Sequence, residues 1–336
     1  MINVAWLARL AAVGLLFSPA QAEDAIVIPA GQVKLAASFI APEGKGPFPA
    51  VVIIAGSGPQ KRNAFQELTA ALNARGVSVL SYDKRGCGQS TGDLSTATLG
   101  ELTDDAAAVT AYLKTRVDVD QKRVGLIGMS QGGLFAPAIA AKNPDVGLIV
   151  LLGASALRLD KLSLLQWETD ARAHGMDEHL IAMAQQAFPK LIEAVSTAGS
   201  EEEALSRAKA ILAPLVANKV IPPAQADGYA AQISAHTGRD TLTYDPVPVL
   251  KQVKVPVLVL TGSLDQQVPA KENLPLFRKA LAGNSDATVT ELPGLNHIFQ
   301  LAKTGSAEEW SQLNQPAYGN PAALRIITDW VAKRFR

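Results

Sequence analysis

The sequence predicts an α/β fold: a doubly wound, mostly parallel sheet interrupted by a helical insertion. Three observations carry that expectation. Short apolar runs alternate with helix-period segments along most of the 336 residues, the pattern of strands buried on both faces beneath helices. One run, Arg123 to Ile127, ends in Gly128-Met129-Ser130-Gln131-Gly132 and leads directly into a helical segment, Leu134 to Lys142. The alternation stops between residues 157 and 244, where Ala, Leu, Gln and Glu are abundant and strand-like runs are lacking.

The elements follow in order. Residues 1–22 have the layout of an export signal, with an apolar stretch from Leu10 to Phe17 and an Ala-x-Ala pattern ending at Ala22. The apolar run is short for a bilayer span. The expectation is a mature chain starting at Glu23, periplasmic or secreted, with no stable membrane insertion; an uncleaved anchor is the alternative. Ala25 to Ile40 alternates around Ala30-Gly31 and predicts a hairpin. Ala50 to Ala55 predicts a buried strand, Ala64 to Arg75 a helix stopped by Gly76, and Val77 to Tyr82 the next strand. Leu102 to Thr115 has helical spacing. Gly147 to Leu152, Val255 to Thr261 and Ala287 to Leu292 predict further strands, and Ala322 to Phe335 a closing amphipathic helix.

Within the insertion, Ser200-Glu201-Glu202-Glu203 has the form of a capping box. Asp177 and Pro222-Pro223 suit two more helix starts. Residues 23–156 and 245–336 therefore form the core, and 157–244 a helical cap above the strand ends. Such a cap would shape a pocket; a decorative bundle is the alternative.

Hydrophobic residues make up 48% of the chain, enough for a large core, and 31 basic residues balance 31 acidic ones. That balance argues against a nucleic-acid partner, which selects for basic excess. A single cysteine, Cys87, excludes an intrachain disulfide framework. No His-Glu-x-x-His or Cys-x-x-Cys occurs, so no metal is expected. The loop Gly56-Ser57-Gly58 lacks the Gly-Lys-Ser/Thr of a phosphate loop. Gly86-x-Gly88 is followed by its third glycine one place late for a dinucleotide fingerprint.

Gly-x-Ser-x-Gly arises by chance about 0.1 times in a chain of this length, yet it occurs twice. Ser90, in Gly88-Gln89-Ser90-Thr91-Gly92, follows a charged turn and precedes a polar loop. Ser130 has a strand before it and a helix after it, the layout of a nucleophile elbow. A serine hydroxyl needs a base. His174, His179 and His236 fall in the cap, which leaves His297, just after the last strand. The imidazole needs an orienting carboxylate. Asp265 follows the strand Val255 to Thr261 directly, where open sheets gather functional groups. Its rivals have other readings: Asp83 as part of a loop-fixing ion pair, and Asp245 as a turn residue before Pro246. The oxyanion hole would use the backbone N–H groups of Gln131 and Ser57.

These residues together resemble the α/β-hydrolase superfamily. The matching stretches are Ala55-Gly56-Ser57-Gly58-Pro59, Asp83-Lys84-Arg85-Gly86-Cys87-Gly88-Gln89-Ser90, Gly128 to Gly133, Gly262-Ser263-Leu264-Asp265 and Asn296-His297. The oxyanion loop, with Phe299-Gln300 and Thr304-Gly305, is similar to bacterial serine carboxylesterases of the monoacylglycerol-lipase and serine-aminopeptidase-like branch. The resemblance implies hydrolysis of a small-molecule carboxylic ester without a cofactor. Many relatives have histidine where this chain has Ala55. A dehalogenase would use aspartate at position 130. Short to medium acyl chains are expected, because the cap would roof an apolar pocket. Two other classes stay open. A peptidase would need acids such as Glu168, Asp170, Asp177 or Glu178 to receive a peptide amine. An idle binding protein would normally have lost one of the three residues.

Overall fold

The computed structural model describes residues 24–336; the expected export signal lies outside them. The elements run β1 (Asp24–Ala30), β2 (Val33–Ile40), β3 (Phe48–Ile54), α1 (Gln66–Asn73), β4 (Ser78–Tyr82), α2 (Leu99–Leu113), β5 (Val119–Met129), α3 (Gly132–Ala140) and β6 (Val146–Leu152). Five helices come next: α4 (Leu159–Ala173), α5 (Glu178–Ser196), α6 (Glu201–Ala217), α7 (Pro223–Ser234) and α8 (His236–Thr243). The chain closes with α9 (Val247–Leu250), β7 (Val257–Gly262), α10 (Ala270–Ala280), β8 (Ala287–Leu292), α11 (Ala307–Trp310) and α12 (Pro321–Arg334).

One eight-stranded sheet has the order β1-β2-β4-β3-β5-β6-β7-β8. β1, β2 and β4 pair antiparallel, and every later pairing is parallel. The side-chain period of two divides each inner strand between two cores. In β3, Val52 and Ile54 belong to the core on the side of α2 and α3, whereas Val51 and Ile53 belong to the core on the side of α1 and α12. Each of these side chains is buried, and each contributes about 1.5–3 kcal/mol through removal from water. That two-sided burial is why the strands read as unbroken apolar runs. The chain leaves β3 to build β4 on one side, then returns across β3 to build β5 on the other. The strand ends of β3 and β5 therefore flank a topological switch point, where open sheets bind ligands.

Several boundaries differ from the sequence expectation for local reasons. α2 starts at Leu99 instead of Leu102 because Thr98 and Glu101 form a full capping box. β5 extends beyond residues 123–127 at both ends. Ser200 accepts from the Glu203 N–H, but Glu203 returns to Gly199 N and not to Ser200 N, so only half a capping box forms. Asp177 caps α5 through His179 N, and Pro223 opens α7. α10 lay outside the sequence expectation; Pro275 sits inside it, a residue that normally argues against a helix interior.

Helices α4–α8 fill the interval between β6 and β7 and carry a hydrophobic cluster of their own, built chiefly from α5, α6 and α7.

Candidate active site

Ser130 sits between β5 and α3 with φ of +50°, a left-handed backbone that L-residues adopt only where the surroundings impose it. Close packing imposes it here. A Cβ on Gly132 would run into the Ile54 carbonyl oxygen, and one on Gly128 into the Gly132 carbonyl. The elbow is further pinned by Ser130 N–H donating to Leu152 O at 2.8 Å. Gly132→Ala is therefore expected to cost at least the 1–3 kcal/mol typical of core overpacking, read as a fall in the urea midpoint. An unchanged midpoint would show that the turn has room to relax.

The side chains expected from sequence converge at the carboxyl ends of the strands. Ser130 follows β5, Asp265 follows β7, and His297 follows β8. Ser130 Oγ lies 3.0 Å from His297 Nε2. His297 Nδ1 lies 2.8 Å from Asp265 Oδ2. A carboxylate oxygen accepts, so Nδ1 carries the proton and Nε2 faces the serine as an acceptor. Asp265 Oδ1 is held separately, accepting from Gln267 N at 2.9 Å and Val268 N at 2.7 Å. Both carboxylate oxygens are thus engaged, and the Asp265 side chain is fully shielded from solvent.

The loop carrying His297 is built to aim it. Asn296 is buried, accepts from Ile298 N and Gln300 N, and donates to Gln300 Oε1. The Trp310 ring stacks near-parallel on the imidazole, with centroids 5.8 Å apart. Trp310 is placed by α11, whose neighbour Glu309 accepts from Lys303 N, Thr304 N and Gly305 N and from the Thr304 hydroxyl. Those bonds, the Thr304 hydroxyl first, hold the Glu309 carboxyl down to about 2. Gly153, after β6, leaves the imidazole room: a Cβ there would approach His297 Cε1 to 3.2 Å.

Ser57 lies in the turn after β3, beside the nucleophile; a Cβ on Gly56 would stand 3.2 Å from Ser130 Cβ. Gln131 is the N-cap of α3, so its N–H belongs to the helix start, where amide protons lack partners within the helix. Ser130 and His297 open on a cavity of about 390 Å³ lined also by Gly56, Ser57, Gln60, Phe65, Gln166, Gln267, Ile298, Trp310 and Tyr318. Burial, reinforced by Asp265, pushes the Tyr318 phenol up, so this wall stays neutral. The cap reaches the cavity through Gln166 of α4, which donates to Gln267 O at 2.8 Å. A second and more apolar cavity, about 420 Å³, lies within the cap between α4, α5, α6 and α7, against Trp167, Phe188 and Tyr229.

The rival residues have structural partners. Ser90 Oγ donates to Asp83 O and accepts from Ala36 N, stapling its loop to β2. Asp83 is bound by Arg62 and by Gln89 N, so its ion pair reaches Arg62 and not the adjacent Lys84-Arg85. Asp245 accepts from Val247 N in the turn before α9. His174, His179 and His236 are exposed on the cap helices. Cys87 is buried and free. Among the described residues, Asp170, His174 and Glu308 bring metal-type ligand atoms within 4.8 Å of one another, all exposed and none of them lining the Ser130 cavity. No helix of the described residues is long and apolar enough to cross a membrane. Trp310, Gln166 and Gly153 escaped the sequence reading, because stacking and cross-element contacts leave no local pattern.

Comparison with known proteins agrees with this architecture. The family model for serine aminopeptidase, S33, matches residues 46–301. Esterase EstD of Thermotoga maritima is 28% identical over 265 residues, covering 77% of this chain and 56% of EstD. The chain thus spans little more than half of that relative's length. The ferulic-acid-bound esterase Est1E of Butyrivibrio proteoclasticus superposes with a TM-score of 0.55 at 18% identity, covering 92% of this chain and 97% of Est1E. The Pyrococcus furiosus esterase Pf2001 gives 0.57 at 15% identity, covering 96% of each chain. Similarity at that level establishes a shared fold.

Proposed function

The chain belongs to the serine aminopeptidase S33 family of α/β-hydrolases, and from that premise we propose that it hydrolyses short- to medium-chain carboxylic esters through an acyl-enzyme on Ser130. The observation that carries the reading is the hydrogen-bonded chain Ser130–His297–Asp265 at the edge of a small-molecule-sized cavity. His297 Nε2 takes the proton as Ser130 Oγ attacks the ester carbonyl. The carbonyl oxygen becomes an oxyanion held by the N–H groups of Ser57 and Gln131. Collapse expels the alcohol, which leaves with the proton from His297. Water then attacks the acyl-enzyme, with His297 again as base, and releases the acid.

The family's description raises peptide substrates as the second reading. An aminopeptidase site needs a carboxylate for the substrate ammonium. The cavity lining offers the neutral amides of Gln60, Gln166 and Gln267, a serine and aromatic rings. Of the candidate acids, Glu168 and Glu178 bind Arg172, Asp170 faces His174, Asp177 caps α5, and none of the four lines the cavity. That chemistry favours uncharged esters.

Apolar walls from Phe65, Ile298, Ala317 and Tyr318 suit an acyl chain. Each buried methylene gains about 0.8 kcal/mol, so kcat/KM is expected to rise about fourfold per methylene until the cavity is filled, then fall. A p-nitrophenyl ester series from acetate to palmitate, run beside amino-acid anilides, measures this. A maximum at palmitate, or anilide turnover above every ester, overturns the proposal.

A further inference from the structure

We propose that Lys84 is a positioning residue that holds both backbone donors of the oxyanion hole with one buried ammonium. The inference rests on the ester-hydrolase reading above and assigns a role to a side chain outside the hydrogen-bonded chain of three.

Lys84 follows β4 and is only 3% exposed. Its Nζ donates to Gly56 O at 2.8 Å and to Gln131 Oε1 at 3.1 Å. Gly56 C=O and Ser57 N–H are the two ends of one peptide group. In a planar trans peptide they point in opposite directions. Anchoring the carbonyl on the ammonium therefore fixes where the Ser57 N–H points. The charge also polarises that peptide and strengthens its N–H as a donor. The second contact grips the side chain of Gln131, whose backbone N–H is the other donor. One ammonium thus ties the loop after β3 to the start of α3, and the two donors keep their spacing.

The surroundings leave Lys84 free for this task. The neighbouring charges are already matched: Asp83 binds Arg62, and Asp105 on α2 binds Arg85 at 2.7 Å. The groups facing Lys84 from the Gly56 loop and from α3 are neutral acceptors. The ionisable groups bearing on it are Cys87 on its own loop and Asp105; the Asp105 carboxylate favours its charge, as a Cys87 thiolate would. Burial outweighs them and brings the ammonium down to about 8. The sign follows directly. Below that value Lys84 is charged and both donors are braced; above it the neutral amine donates more weakly, and the brace loosens. Turnover should therefore fall on the alkaline side.

The test uses the full chain, a p-nitrophenyl ester, and an alkyl boronic acid as tetrahedral analogue. Lys84→Met is expected to lower kcat about 100-fold, within the range for loss of an oxyanion donor, with KM nearly unchanged because the planar ester carbonyl makes little use of the hole. Boronate affinity should fall in parallel with kcat, and the alkaline decline of the wild type should vanish. Lys84→Gln, which keeps a neutral donor, should recover part of kcat without restoring the decline. If Lys84→Met does not fold, Lys84→Gln and the wild-type pH profile decide. Lys84→Met turning over within threefold of wild type, or wild-type kcat flat from pH 7 to 10, overturns the inference. Fluorophosphonate labelling separates the two levels: if wild type labels at Ser130 while Lys84 proves dispensable, only the role of Lys84 fails. No labelling of Ser130 removes the parent reading as well.

Discussion

Replacing Ser130 with alanine is expected to lower kcat on a p-nitrophenyl ester by about 10⁶-fold, the loss seen when a cooperating nucleophile is removed. The size follows from the geometry. Ser130 Oγ is the nucleophile of the proposed acyl transfer, and His297 Nε2 lies 3.0 Å from it, within reach of its proton. Without Oγ, the imidazole and Asp265 have no hydroxyl to activate, and any hydrolysis rests on direct attack by water. The proposed oxyanion donors, the N–H groups of Ser57 and Gln131, are untouched by the substitution, so some acceleration over water is expected to remain. The variant removes one oxygen from a partly exposed position, so folding should be unaffected. Ser90→Ala should behave oppositely. It breaks bonds to Asp83 O and Ala36 N, costing about 1 kcal/mol of stability while leaving most turnover. A fluorophosphonate probe reads out the assignment; modification of Ser90, or of any residue other than Ser130, would end it.

The positions of these groups were legible because each follows its strand without delay. Ser130 is the residue after β5, Asp265 is three beyond β7, and His297 is five beyond β8. An apolar run ending in a functional residue is a local signal, and the parallel sheet converts it into a shared edge. The run of helices α4–α8 was legible as a break in alternation. What stayed hidden depends on contacts between distant segments. Lys84 looked like one member of a charged turn with Asp83 and Arg85. In the fold Asp83 turns to Arg62, 21 residues away, and Arg85 to Asp105, 20 residues away. Lys84 is thereby released to reach Gly56 and Gln131, at separations of 28 and 47 residues. No spacing rule carries that partition. The same holds for Trp310, whose stacking on His297 depends on a short helix fixed by Glu309. The apolar pocket expected beneath the cap is divided in the fold. The cavity at Ser130 mixes amides with aromatic rings, and the more apolar one lies among the cap helices, because amphipathic helices turn their apolar faces toward one another.

Asp265→Asn is expected to lower kcat about 10⁴-fold while the protein stays folded, and the hydrogen bonds show why an isosteric amide is so damaging here. An asparagine at 265 has one acceptor oxygen and one NH₂ donor to place in two positions. The position of Oδ1 faces two backbone donors, Gln267 N and Val268 N. Putting the NH₂ there would set it against two N–H groups in a site closed to solvent, so the amide oxygen takes that place. The NH₂ is then left facing His297 Nδ1, 2.8 Å away in the wild type. A donor there requires Nδ1 to accept, which moves the ring proton to Nε2. Nε2–H now points at Ser130 Oγ and cannot remove its proton. The two backbone bonds that steady the carboxylate thus lock the amide in its harmful orientation. The wrong tautomer becomes the ground state. Three measurements check the argument together. Circular dichroism and the thermal midpoint should stay close to wild type, and the ¹⁵N shifts of His297 should exchange the protonated ring nitrogen from Nδ1 to Nε2. Turnover should drop by the stated factor. Near-wild-type turnover in Asp265→Asn, with Asp83→Asn inactive, would move the orienting acid to the other carboxylate.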